Sequence, residues 1–105
     1  MNARLRIYVG AEQRYEHLHL HEWLLHKAQL TGLPGATAVE AVSGYGPNSR
    51  SRALGLDSLS ADKTIIVDFI GPRELLDSFL HQVLSSGALD RSLVLFEAVE
   101  VALPR

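Results

Sequence analysis

The run Lys63–Ile70, KTIIVDFI, passes through Gly71-Pro72 straight into RELLDSFLHQVLSS, and this junction constrains the fold more than any other part of the chain. Its β-branched residues predict a strand. Pro72 suits the first turn of a helix. Leu75, Leu76, Phe79, Leu80, Val83 and Leu84 then form one apolar stripe, which Gly87 ends. A strand that feeds an amphipathic helix without a spacer must lay that helix back on its own sheet. The same grammar opens the chain. In Arg4–Gly10, Leu5, Ile7 and Val9 share one parity and Arg6 and Tyr8 the other, the period of a half-buried strand. Leu20, Trp23, Leu24, Ala28 and Leu30 follow at helical spacing up to about Thr31, with Gly32 placed for a left-handed cap and Trp23 as a packing residue. Ala36–Ser43, ending at Gly44, and Ser92–Leu103 supply two further strands. The order βαββαβ predicts an α+β ferredoxin-like sandwich: a four-stranded antiparallel sheet, two helices on one face, one domain over residues 1–105. The other face must meet water, a ligand or another subunit. Arg6, Tyr8, Lys63 and Asp68 are expected there, but apolar groups recur beside them, as on a sheet partly covered by association.

Composition removes several function classes. The chain has no cysteine, so disulfides, thiolate catalysis, iron–sulfur clusters and Cys-based zinc sites are excluded. A net charge of -2 argues against a broad nucleic-acid surface. No apolar run approaches the roughly 20 residues of a membrane span, and the first residues lack a signal-peptide pattern, so neither membrane insertion nor export is expected and the cytoplasm is the expected location. Ser43, Ser49, Ser51 and His81 make no nucleophile pattern and no paired carboxylates stand out, so the chain is not expected to be an enzyme.

The least regular part is GYGPNSRSRALGLDSLSAD, Gly44–Asp62, rich in Gly and Ser. A long segment of this kind in a compact domain is commonly functional and is expected to be a mobile loop. SGYGPN superficially resembles the aromatic signature of RNA-recognition motifs, but Pro47-Asn48 ends any strand there, whereas bases need rings fixed on the sheet.

LRIYVGAEQRY, HKAQLTGLPGATA, SGYG, LSADKTIIVDFI and FEAVEV, taken together and in order, resemble the PII-like family filed as domain of unknown function 190. The similarity runs from about Leu5 to Val101. It implies a homotrimer with sheets turned to the centre, a regulatory role, an adenine nucleotide as effector in the cleft between subunits, and a partner protein that reads the loop. The family's Gly-aromatic-Gly falls on Gly44, Tyr45 and Gly46, and its small-Thr pattern on Gly35, Ala36 and Thr37. Glycines let a backbone approach a nucleotide, and Arg50 and Arg52 could offer phosphates bidentate charge. One departure matters. Where PII proteins carry a second Gly- and Lys-rich loop, this chain has SSGALDRSL, with only Arg91 as a cation, so tight triphosphate binding is not implied. A monophosphate, a cyclic nucleotide or another small anion fits as well.

RYEHLHLHEW raises a separate question, because His17, His19 and His21 have the alternation that brings three imidazoles to one metal on a strand face. With the helix beginning near Leu20, His17 and His19 fall in the preceding loop and His21 in the first turn. His26 then lies about 140° around the helix from His21. The resemblance supplies no matching histidines. A metal-responsive trimer that binds a transition metal through this cluster is therefore an alternative to the nucleotide reading. A third is an interaction module without a small ligand.

Overall fold

The computed structural model describes residues 1–45, 63–89 and 92–102. Gly46, Arg50, Arg52 and Arg91 lie outside the described residues.

In β1 (Asn2–Gly10) Ala3, Leu5, Ile7 and Val9 are buried in strict alternation. A two-residue hairpin follows, β2 (Arg14–Tyr15) and β3 (Leu18–His19), and leads directly into α1 (Leu20–Thr31). Next come β4 (Gly35–Glu40), β5 (Thr64–Pro72), α2 (Arg73–Ser86) and β6 (Leu93–Ala98). The main sheet has the order β4-β5-β1-β6 with every neighbouring pair antiparallel, the ferredoxin-like arrangement that the element order predicts. Both described helices lie on one face. Between them and the sheet sits the core: Leu20, Leu24 and Ala28 from α1, Leu76, Phe79 and Val83 from α2, and the inward residues of β1 and β5. Phe69 meets Phe79 with ring centroids 4.8 Å apart. Trp23 is a packing residue as expected, edge-on to Tyr15 at 4.7 Å, and the Tyr15 hydroxyl donates to the Ser86 carbonyl at 2.9 Å. That bond ties the hairpin to the end of α2.

Both helices end on the expected glycines, Gly32 (φ 90°) and Gly87 (φ 79°). Gly32 and Leu33 donate to the Gln29 and Ala28 carbonyls, closing the last turn of α1.

The strand ends differ from expectation wherever pairing overrides composition. Gly71-Pro72 continues β5, because β1 extends back to Asn2 and pairs with Pro72, and Arg73 donates to the Met1 carbonyl at 2.9 Å. Proline is tolerated at a strand end, where a missing N–H is not needed. β4 stops at Glu40 instead of Ser43: its register with β5 ends at the Glu40–Ile65 pair, and Ala41 still donates to the carbonyl of Thr64, where β5 begins. β6 stops at Ala98, paired with Ala3, because its partner β1 begins at Asn2, whose carbonyl still accepts from Val99. Lys63 precedes β5, and its ammonium pairs with Glu40 at 3.3 Å.

Candidate functional site

Register decides what the open face of the sheet presents. Thr37, Asp68, Arg6 and Leu95 lie side by side across β4, β5, β1 and β6. Val39, Ile66, Tyr8 and Leu93 form the row on one side, and Gly35, Ile70, Arg4 and Glu97 the row on the other. The face is thus mostly apolar, with Val39 52% and Leu95 45% exposed, and it is crossed by two ion pairs. Arg6 Nε donates to Asp68 Oδ1 at 2.7 Å and Nη2 to Oδ2 at 2.8 Å, a bidentate fork. The Asp68 hydrogen bond, assisted by Tyr8, raises the Arg6 pKa further above its ordinary value, so this guanidinium keeps its charge at every accessible pH. Arg4 binds Glu97 through both Nε and Nη2, each directed to Oε1. A depression of about 290 Å³ lined by Arg4, Arg6, Leu95, Phe96 and Glu97 opens at this edge. In a single chain a partly exposed pair such as Arg6–Asp68 contributes only about 0–1 kcal/mol.

Of the residues assigned to a ligand, Thr37 is exposed on this face beside Asp68. Gly44 and Tyr45 follow the end of β4. Gly44 has φ 151°, a backbone strained for any side chain, and Tyr45 is 90% exposed. The Ala41–Thr64 and Glu40–Lys63 contacts hold the end of β4 and the start of β5 together, and Ala11 donates to the Lys63 carbonyl at 2.7 Å. The described base of the Gly44–Asp62 segment is therefore fixed to the sheet and to the turn after β1. The arrangement offers an exposed aromatic ring, a backbone that only glycine follows, and a threonine hydroxyl on the adjoining face.

The histidine stretch folds differently from the loop expected. Glu16 (φ 51°) and His17 (φ 71°) are both left-handed and close the β2–β3 hairpin as a two-residue turn of the I′ kind. Neither is glycine or asparagine, which is why the turn is hidden in the sequence. The Arg14 guanidinium braces it, Nη2 donating to the His17 carbonyl at 2.6 Å and Nη1 lying 3.5 Å from His19 Nε2. The His19 and His21 rings are nearly parallel with centroids 5.6 Å apart, and the Nδ1 atom of each is buried without a hydrogen-bond partner. His17 takes part through its backbone carbonyl. Among the described residues no three His, Asp or Glu side chains are grouped as a metal would need.

The sequence reading placed Arg6 and Asp68 on the open face but did not pair them, and it missed Arg4–Glu97. The available signal was opposite charge at matching strand parity; the register that joins the charges is not written in either strand.

Sheet order and helix placement define a sandwich of the ferredoxin type. The chain belongs to the DUF190 family (Uncharacterized ACR, COG1993), whose model matches residues 2–101. A UPF0166 protein of Aquifex aeolicus is 30% identical over 97 residues, spanning 92% of this chain and 90% of that protein. Among solved structures, CPII from Thiomonas intermedia K12, a nitrogen regulatory PII-like protein bound to ADP, AMP and bicarbonate, superposes with a TM-score of 0.66 at 17% identity, covering 99% of this chain and 96% of its own. A PII-like signaling protein of Thermus thermophilus gives a TM-score of 0.53 at 21% identity, covering 90% and 82%. Among the described residues no helix is long and apolar enough to cross a membrane.

Proposed function

We propose that this chain is a regulatory protein of the PII-like kind whose copies associate through the open sheet face, three to an assembly, and take an adenine nucleotide in the cleft this creates beside Thr37, Gly44 and Tyr45. The observation that carries the reading is the apolar, ion-paired sheet face that a single chain leaves uncovered, with the glycine-flanked Tyr45 at its edge. The similarity in fold to CPII, which was crystallised with ADP and AMP, supports an adenine nucleotide as the effector. An exposed tyrosine can stack on a base, and the Gly44 backbone can come close to a ligand where a side chain would block it. Gly46, Arg50 and Arg52 enter this reading from the sequence alone, as close-approach backbone and phosphate charge. Effector binding then redirects the Gly44–Asp62 segment toward a partner protein, with no chemistry performed on the ligand.

Calorimetry with AMP, ADP, ATP and cyclic AMP tests this. At least one should bind, and Tyr45→Ala should weaken it about 10-fold, the loss of one stacking contact of roughly 1–1.5 kcal/mol. Absence of heat with all four at millimolar concentration would end the nucleotide reading.

A second reading, a metal-responsive protein, is favoured by one observation: the two partnerless Nδ1 atoms of His19 and His21. It ranks behind the first because Arg14 sets a fixed cation 3.5 Å from His19 Nε2.

A further inference from the structure

Within the apolar open face the Arg6–Asp68 pair is the feature that association would change most. The pair is part-buried already, with side-chain exposures of 34% and 23%. Each Asp68 oxygen accepts one bond from Arg6, whereas a guanidinium has five N–H donors, of which this fork uses two, with Tyr8 assisting beside it. Arg6, itself part-exposed on this face, therefore keeps N–H donors outside the fork. The same face also presents acceptors: both bonds from Arg4 go to Oε1 of Glu97, leaving Oε2 outside them, and the Thr37 hydroxyl stands one strand beyond Asp68. A surface with unspent donors and unspent acceptors in adjacent rows is complementary to a second copy of itself.

The apolar residues around the pair fix no position. Val39, Ile66, Ile70, Leu93 and Leu95 are similar in size and chemistry, and side chains on one sheet face repeat every second residue, so two such faces can slide past one another with little change in apolar contact. An ion pair taken out of water behaves differently: any register that leaves its remaining donors unmatched buries an unsatisfied cation. Polar groups at a single position in an otherwise apolar seam set register and stoichiometry in this way in coiled coils. We infer that the Arg6–Asp68 ion pair specifies the register, and with it the stoichiometry, in which copies of this chain cover the open sheet face. The inference rests on the reading that copies of the chain cover that face.

Native mass spectrometry and sedimentation velocity over a dilution series test both levels separately, on the full chain as wild type, Arg6→Lys, Asp68→Asn and the double variant Arg6→Met/Asp68→Leu. The wild type should give one oligomer. Arg6→Lys, which keeps the charge but loses the fork, and Asp68→Asn, which leaves Arg6 without its counter-charge, should move the dissociation midpoint at least about 10-fold higher in concentration while circular dichroism stays that of the wild type. The double variant, whose central row then carries no charge while Arg4–Glu97 is kept at the edge, should associate at or below the wild-type midpoint but as a mixture of stoichiometries. A wild type that stays monomeric at high concentration overturns the association reading and the inference with it. An oligomeric wild type whose double variant keeps a single identical stoichiometry overturns the inference alone and leaves the association reading standing. Single variants with unchanged midpoints do the same.

Discussion

Replacing Glu16-His17 by Asn-Gly should stabilise the fold by about 1 kcal/mol. Both positions are left-handed, at φ 51° and 71°, and an ordinary L-residue there costs roughly 1 kcal/mol or more from the clash of Cβ with the carbonyl oxygen. Glycine at position 17 removes that clash, while its extra freedom in the unfolded chain returns about 0.4–1 kcal/mol of the gain. Asparagine at position 16 tolerates the left-handed region better than glutamate does. The brace survives the change, because Arg14 donates to the backbone carbonyl of residue 17 and not to its ring. The hairpin is also anchored independently by the Leu20 N–H on the Gln13 carbonyl at 2.7 Å. Urea denaturation of both proteins at one fixed concentration measures the difference, and for a chain near this size a gain of 1 kcal/mol appears as a rise of about 4–8 °C in Tm. An unchanged or lower midpoint would refute the reasoning, since it would mean that the left-handed pair is held without strain.

Gly71→Ala should destabilise the fold by about 1 kcal/mol net, because the added Cβ would come 3.0 Å from Pro34 Cδ and 3.3 Å from Cγ, and relief requires the α1–β4 connection to shift; the same denaturation experiment reads it, and a neutral result would show that Pro34 yields freely. If the metal reading holds, zinc, copper or nickel should bind the wild type, lose affinity in His19→Ala and in His21→Ala, and keep it in His17→Ala, whose ring the structure does not bring to the pair. Equal losses in all three variants would mean that the hairpin rearranges around the metal, and no binding by the wild type would close the question.

Much of the architecture is legible in the sequence because it rests on short-range rules. The alternation of Leu5, Ile7 and Val9, the spacing of Leu75, Leu76, Phe79, Leu80 and Val83, and the glycines at 32 and 87 each report a backbone state through the residues that occupy it. The hairpin was illegible for the converse reason. Its turn uses two residues that do not favour left-handed backbone, held there by Arg14 and by the packing of Tyr15 on Trp23, and no local preference announces them. The candidate site divides the same way. Gly44 and Tyr45 stand out as residue types, whereas the neighbour that Thr37 acquires, Asp68, comes from a strand far along the chain.

Residue by residue, then, the sequence determined the four strands of the main sheet and the two described helices to within a few residues at their ends, which of their faces are apolar, and where both described helices stop. Those properties follow from side-chain period and backbone preference, which act within a few residues. Only the tertiary structure decided that Asp68 lies against Arg6 and Glu97 against Arg4, that Gly71 lies under the Pro34 ring, and that the His19 and His21 rings stack while His17 takes part through its backbone carbonyl. Strand order and register are long-range choices, fixed by how all four strands bury their apolar faces at once, and no single strand carries that information.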